Sequence, residues 1–186
     1  MTATLTTNAT LTTNAALDRL ASALEANADA LATAPASSAT IRPRVRTSLI
    51  AGTPTSVHAE AGRHTFTIDE PATLGGDDTG ANPVEHLLAA LGSCQVISYQ
   101  VWAAKLGIAL DSIHIDVTGD LDVRGFFGLD DTVRPGFNTV HVEARITGPE
   151  PLERYEELTR IVERHCPVLD VLTAGVPVTS QVTYAN

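Results

Sequence analysis

Aromatic residues are the scarcest class in this 186-residue chain: one tryptophan, three tyrosines and four phenylalanines, 4% in all. Leu, Val, Ile and Ala therefore have to fill any core, within a hydrophobic content of 44%. Cysteine is almost absent as well, at two residues. That excludes a disulfide-stapled scaffold, and in a reducing compartment two thiols are reactive or simply buried rather than a permanent bridge. Positive charge is also in short supply, since 12 Lys and Arg against 22 Asp and Glu give a formal net charge of -10 and a pI near 4.9. An acidic surface neither neutralises phosphates nor is drawn to anionic lipid, so neither nucleic acid nor a membrane is expected as a partner. The N-terminus lacks the basic region and continuous apolar run of a secretory signal. These absences together read as a cytoplasmic protein.

What is present is one long helical pattern at residues 82–105. Asn82 suits an N-cap, Pro83 the first helical position, and Glu85 the acid of a capping box. Leu87, Leu88, Leu91, Cys94, Ile97, Val101 and Trp102 then recur at three- and four-residue steps, while Ala89, Ala90, Gly92 and Ser93 keep the rest of the surface thin. Such a helix lets other elements approach closely. At about 36 Å it is long enough to cross a bilayer, but Glu85, His86, Gln95, Gln100 and Lys105 interrupt it and no basic flank anchors it. It reads as a buried core helix.

The length suits one core, or a domain with an extension, and the boundary falls at 40/41. Within residues 1–40, TLTTNA at 4–9 repeats at 10–15 and predicts a polar tail or irregular arm. Leu17, Leu20, Leu24 and Leu31 predict a short amphipathic helix from residue 16, capped by Asn14 and docked on its own subunit or clasping a second one. Residues 35–40 read as a linker. Within residues 41–186, three β-type runs at 44–50, 55–60 and 63–68, separated by Gly- and Pro-containing turns, predict an antiparallel meander. A Gly- and Asp-rich loop at 69–81 leads into the central helix and lacks the lysine of a phosphate loop. Alternation at 112–123 and 139–147 predicts two long strands joined by a loop, 124–137, that presents Phe126, Phe127 and Phe137. Helices follow at 151–165 and 167–173, and residues 177–184 are expected to close the sheet.

Three features together resemble the OsmC/Ohr family: NPVEHLLAALGSC at the start of the central helix, CPVLDVL at residues 166–172, and the sheet-helix-sheet-helix order around them. The resemblance covers residues 42–186. It implies an α+β fold with antiparallel sheets wrapped around the long helix, an intertwined homodimer with two sites at its interface, and thiol-dependent reduction of organic hydroperoxides without metal or other cofactor. In that scheme Cys94 attacks the peroxide oxygen and becomes a sulfenic acid, Cys166 condenses with it to a disulfide, and an external dithiol restores both.

The residues also bear on this chemistry directly. Cys166 precedes Pro167 and is expected at a helix N-cap, where partial positive charge lowers a thiol pKa. Cys94 lies inside its helix and needs a stabilising group from elsewhere. The family pattern places a glutamate directly after Asn-Pro and an arginine turned to the thiolate; here Val84 holds the first position and Glu85 lies one step on, about 100° round the helix. Glu85, Arg46 and Arg63 are the candidate acid and cationic partners, with Arg44, His64, Arg124 and Arg134 as further sources of charge. Glu85 has a competing role as a cap. His86 has no second His or Cys at zinc spacing, and His165, beside Cys166, is expected to point away from it. Two functions remain open: a hydroperoxide reductase acting through Cys94 and Cys166, with either thiol as the first to be oxidised, or a relative that binds a small thiol or apolar metabolite without turning over peroxide.

Overall fold

The computed structural model describes residues 4–184. Its axis is α2 (Pro83–Leu106), which begins as the sequence predicts. Asn82 Oδ1 accepts from the Glu85 N–H and Glu85 Oε2 accepts from the Asn82 N–H, both at 2.8 Å, and Pro83 follows the cap. Gly107, with φ 61°, ends the helix in the left-handed conformation that glycine adopts without a steric penalty.

Elements pack on α2 from several sides. Strands β4 (Ser112–Asp120) and β5 (Thr139–Thr147) form an antiparallel ribbon, with Val117 opposite Val142, and β4 lies against the helix. Gly92 is a point of close approach: a Cβ there would stand 3.2 Å from Val117 Cγ2. Helices α4 (Leu152–His165) and α5 (Pro167–Ala174) cover another side. Leu158 and Val162 of α4 are fully enclosed with Tyr99 and Ala103 of α2 and with Ile108 and Leu110. Burying side chains of that kind stabilises by about 2 kcal/mol each. The Tyr99 hydroxyl donates to Thr159 Oγ1 at 3.1 Å and so pins the same contact with a polar bond. Leu152 is 67% exposed, because it sits at the first position of α4, before the helix reaches the core.

The three-stranded sheet is the expected antiparallel meander, in the order β1 (Val45–Leu49), β2 (Val57–Ala61), β3 (His64–Ile68). It is joined to α2 through the loop at 69–81, which is organised by buried Asp69. That carboxylate accepts from the Thr55 and Ser56 hydroxyls, from the hydroxyl and N–H of Thr79, and from the N–H groups of Glu70 and Asp77, at 2.6 to 3.2 Å. These donors hold its pKa far below the ordinary carboxylate range.

Two expectations are corrected. The N-terminal helix α1 spans Thr4–Thr33, so residues 4–15 are helical rather than an arm and Asn14 lies within the helix instead of capping it; residues 2 and 3 lie outside the described residues. No proline or glycine precedes Pro35, so nothing stops the Ala- and Leu-rich segment at 16–33 from propagating toward the N-terminus. Leu17 and Ala21 of α1 share a cleft with Ala103 and Ala104 of α2, which is docking within the subunit. Residues 177–184 pair with neither sheet, and Val178, Val182 and Tyr184 are exposed. An alternating pattern makes a strand only where an edge and an apolar surface receive it.

Candidate active site

The two cysteines meet. Cys94 sits half-buried in the middle of α2, and Cys166 is buried at 1% exposure at the corner between α4 and α5. The corner follows from Pro167. The residue before proline is pushed out of helical conformation, and Cys166 is accordingly extended at φ -80° and ψ 110°. The chain therefore breaks for one residue and restarts with Pro167 at the first position of α5. Leu158 and Val162 fix the end of α4 against α2, which brings the Cys166 sulfur to 3.4 Å from that of Cys94. Both thiols are free, and an S–S bond requires them to close by about 1.4 Å.

The electrostatics distinguish the two. Burial pushes the Cys166 thiol up, and the nearby Cys94 sulfur adds to this; the N–H groups of Leu169 and Val168 at the start of α5 act in the opposite direction but do not prevail. The expected lowering at a helix N-terminus is thus outweighed by desolvation. Cys166 keeps its proton and donates it toward the Cys94 sulfur. Cys94, the more accessible of the pair, opens onto a groove of about 470 Å³ lined by Ala90, Ile97, Val101, Trp102, His165 and Pro167, among others. The lining is mainly apolar, and nothing in it bars a small hydrophobic reactant from reaching the sulfur.

The other predicted partners are placed elsewhere. Glu85 is taken up by the capping box and lines a different hollow, on the β4 side of α2. Arg46 lies exposed on β1 opposite Glu60, and Arg63 is exposed in the β2–β3 turn. None of the three borders the Cys94 groove. Arg124 is held by Asp122 and Asp130. Arg134, with Val84, Phe137, Leu169 and Leu172, borders a second apolar groove of about 450 Å³ between α2, β5 and α5. Phe126 and Phe127 stand out from the short helix α3 (Val123–Phe126), whereas Phe137 lies against Gly119. His86 packs against the sheet: its ring is 5.2 Å from that of Phe66, and its Nε2 is shut from water with no hydrogen-bond partner among the described residues.

His165 was expected to turn away. Instead it borders the groove, because the chain leaves the helix at Cys166 and the two residues do not share one helical surface. Its Nδ1 is 2.8 Å from the Ile161 carbonyl, and its ring lies 4.6 Å from that of Trp102.

An α+β fold that wraps antiparallel sheets around a central helix, with two free thiols in contact between that helix and the next pair, defines a class of small two-cysteine proteins. The chain belongs to the OsmC-like protein family, which it matches over residues 75–181. Among solved structures it is similar to an OsmC-like protein from Mycoplasma pneumoniae, at 19% identity and a TM-score of 0.61 over 77% of this chain and 96% of that one. It is also similar to an organic hydroperoxide resistance protein OsmC from Legionella pneumophila, at 20% identity and a TM-score of 0.55, covering 73% and 91%. An OsmC-like protein of unknown function from Vibrio cholerae shares 12% identity at a TM-score of 0.59, covering 72% and 95%. No curated protein sequence matches the chain. These likenesses establish the fold.

Proposed function

We propose that this protein is a thiol-dependent peroxidase that reduces organic hydroperoxides in the cytoplasm. The observation that carries the reading is the 3.4 Å contact between a half-exposed Cys94 and a buried Cys166. Cys94 attacks the distal peroxide oxygen, the O–O bond breaks toward the alcohol, and Cys94 becomes a sulfenic acid. Cys166 then attacks the Cys94 sulfur, a disulfide forms, and water leaves with the Cys166 proton. A dithiol reductant returns both thiols. The raised pKa of Cys166 supports this assignment of roles, since a buried protonated thiol is the poorer first nucleophile.

A homodimer is part of the proposal. Val45, Leu49 and Phe66 on the hairpin sheet and Val178, Val182 and Tyr184 in the tail leave apolar surface open in one chain, and a second copy is the route by which Arg46 or Arg63 reaches a Cys94 groove. We also propose residues 1–40 as an extension to a domain at 41–186. The second reading, a relative that binds a small thiol or apolar metabolite, is favoured by Val84, which borders an apolar groove where the family pattern has an acid, and by Glu85 being consumed as a cap.

Consumption of cumene hydroperoxide with a dithiol decides between them. Cys94→Ser abolishes turnover, whereas Cys166→Ser retains the first oxidation and leaves Cys94 as a sulfenic acid that dimedone labels. No peroxide-dependent change at Cys94 would sink the enzymatic reading. Labelling confined to Cys166 would exchange the roles. A stable folded monomer at micromolar concentration in sedimentation would remove the dimer.

A further inference from the structure

The proposed reaction needs a group that takes the Cys94 proton and returns one to the leaving alkoxide, and within one chain neither Glu85 nor any arginine named above borders the groove where this happens. One titratable side chain other than Cys94 does. His165 stands at the α4 end of the same groove, exposed to water. Its Nδ1 lies 2.8 Å from the Ile161 carbonyl, which only accepts, so Nδ1 carries the proton in the neutral ring and Nε2 is left with its lone pair. The ring is held from one side by Trp102, 4.6 Å away, whose indole also carries the Lys105 ammonium 4.1 Å from its centre. A histidine with one nitrogen tied to its own helix, its ring braced, and the other nitrogen left with its lone pair can accept and return a proton in the groove that Cys94 also borders.

We propose that His165 is the proton carrier of the Cys94 groove, a role that rests on the hydroperoxide reading above. In the reduced protein the Cys94 S–H proton passes to His165 Nε2 through the solvent-open groove, leaving a thiolate and an imidazolium. The thiolate attacks the distal oxygen of R–O–OH, the S–O bond forms, the O–O bond breaks, and its electron pair goes to the proximal oxygen. That alkoxide takes the proton from Nε2 and leaves as R–OH, with Cys94 as S–OH and His165 neutral again. The charged and titratable groups on the adjoining elements are Cys94 and Lys105 on α2, Glu163 and Arg164 just before His165 in sequence on α4, and Cys166 and Asp170 at the start of α5.

The test measures two reactions across the pH range in which imidazoles titrate: oxidation of reduced protein by cumene hydroperoxide in a single turnover, and alkylation of Cys94 by iodoacetamide in the Cys166→Ser background. Both are quenched and read by intact mass. His165→Asn keeps a donor for the Ile161 carbonyl but removes Nε2, and His165→Gln serves as a second variant should the first fold poorly. The expected result is oxidation slowed by about 10²-fold, the scale of general acid–base catalysis, with a changed pH dependence of both reactions. Unchanged rates and unchanged pH profiles in a folded variant overturn the proposal. If the wild type ignores hydroperoxide while the pH dependence of its alkylation still requires His165, the proton link stands and the hydroperoxide reading falls.

Discussion

Gly92 offers the sharpest mechanical test of how α2 is packed. A Cβ there would lie 3.2 Å from Val117 Cγ2 and 3.8 Å from Ile115 Cγ2, so the gap accommodates at most one methyl, and that only if Val117 gives by a few tenths of an ångström. Against this, alanine or leucine gains about 1 kcal/mol of helix propensity over glycine. For Gly92→Ala the two effects roughly cancel, and stability is expected within about 0.5 kcal/mol of wild type. For Gly92→Leu three further carbons enter a space already closed by a strand whose valine is stiff at χ1. Overpacking then costs about 3 kcal/mol, and a net loss of about 2 kcal/mol lowers Tm by about 4 to 8 °C. Because Val117 is the obstacle, Gly92→Leu combined with Val117→Ala should recover part of the loss, with a coupling of about 1 kcal/mol. Urea unfolding followed by circular dichroism measures all four corners of that cycle. Gly92 faces β4 and the Cys94 groove opens toward α4 and α5, so alkylation of Cys94 should be unchanged throughout. A Gly92→Leu protein as stable as wild type, or one that loses stability without coupling to Val117, would refute the close approach.

Asp69 is held ionised by its donors, so its folded pKa lies below its unfolded one. The stability it contributes is complete above the unfolded value of about 4 and is lost as pH falls through the folded value. Asp69→Asn should accordingly destabilise by a constant amount at neutral pH and by progressively less below about pH 4; a difference that persists undiminished into strong acid contradicts the hydrogen-bonded carboxylate. Glu85→Ala removes half of the capping box and is expected to cost about 1 kcal/mol or less in chemical denaturation while leaving peroxide oxidation of Cys94 intact. A hundredfold loss of that oxidation would instead make Glu85 part of the chemistry.

Much of the fold was legible because local signals agreed with their surroundings. Asn82, Pro83 and Glu85 mark the start of α2 by chemistry that works in isolation, and the small residues along it announced the close contact that Gly92 makes with Val117. The meeting of Cys94 and Cys166 followed from resemblance, and its cause became visible only as the Cys166-Pro167 corner. Features that depend on distant partners were not legible. Asp69 gathers donors from residues 55, 56 and 79, and nothing in its immediate sequence distinguishes it from Asp77 or Asp78. His165 would turn away from Cys166 on a continuous helix, and the break at Cys166 ends that helix. The tail at 177–184 has the alternation of a strand but pairs with neither sheet.

The proposed function requires that Cys94 and Cys166 of one chain form a redox couple driven by hydroperoxide. Reduced protein treated with one equivalent of cumene hydroperoxide, then examined by intact mass and peptide mapping without reductant, measures it directly. The expected product is a monomer-mass species lacking two hydrogens, with the two cysteines joined in a single cross-linked peptide and both recovered as thiols by a dithiol. Unmodified thiols after peroxide, or Cys94 driven to sulfinic acid while Cys166 stays free, would contradict it.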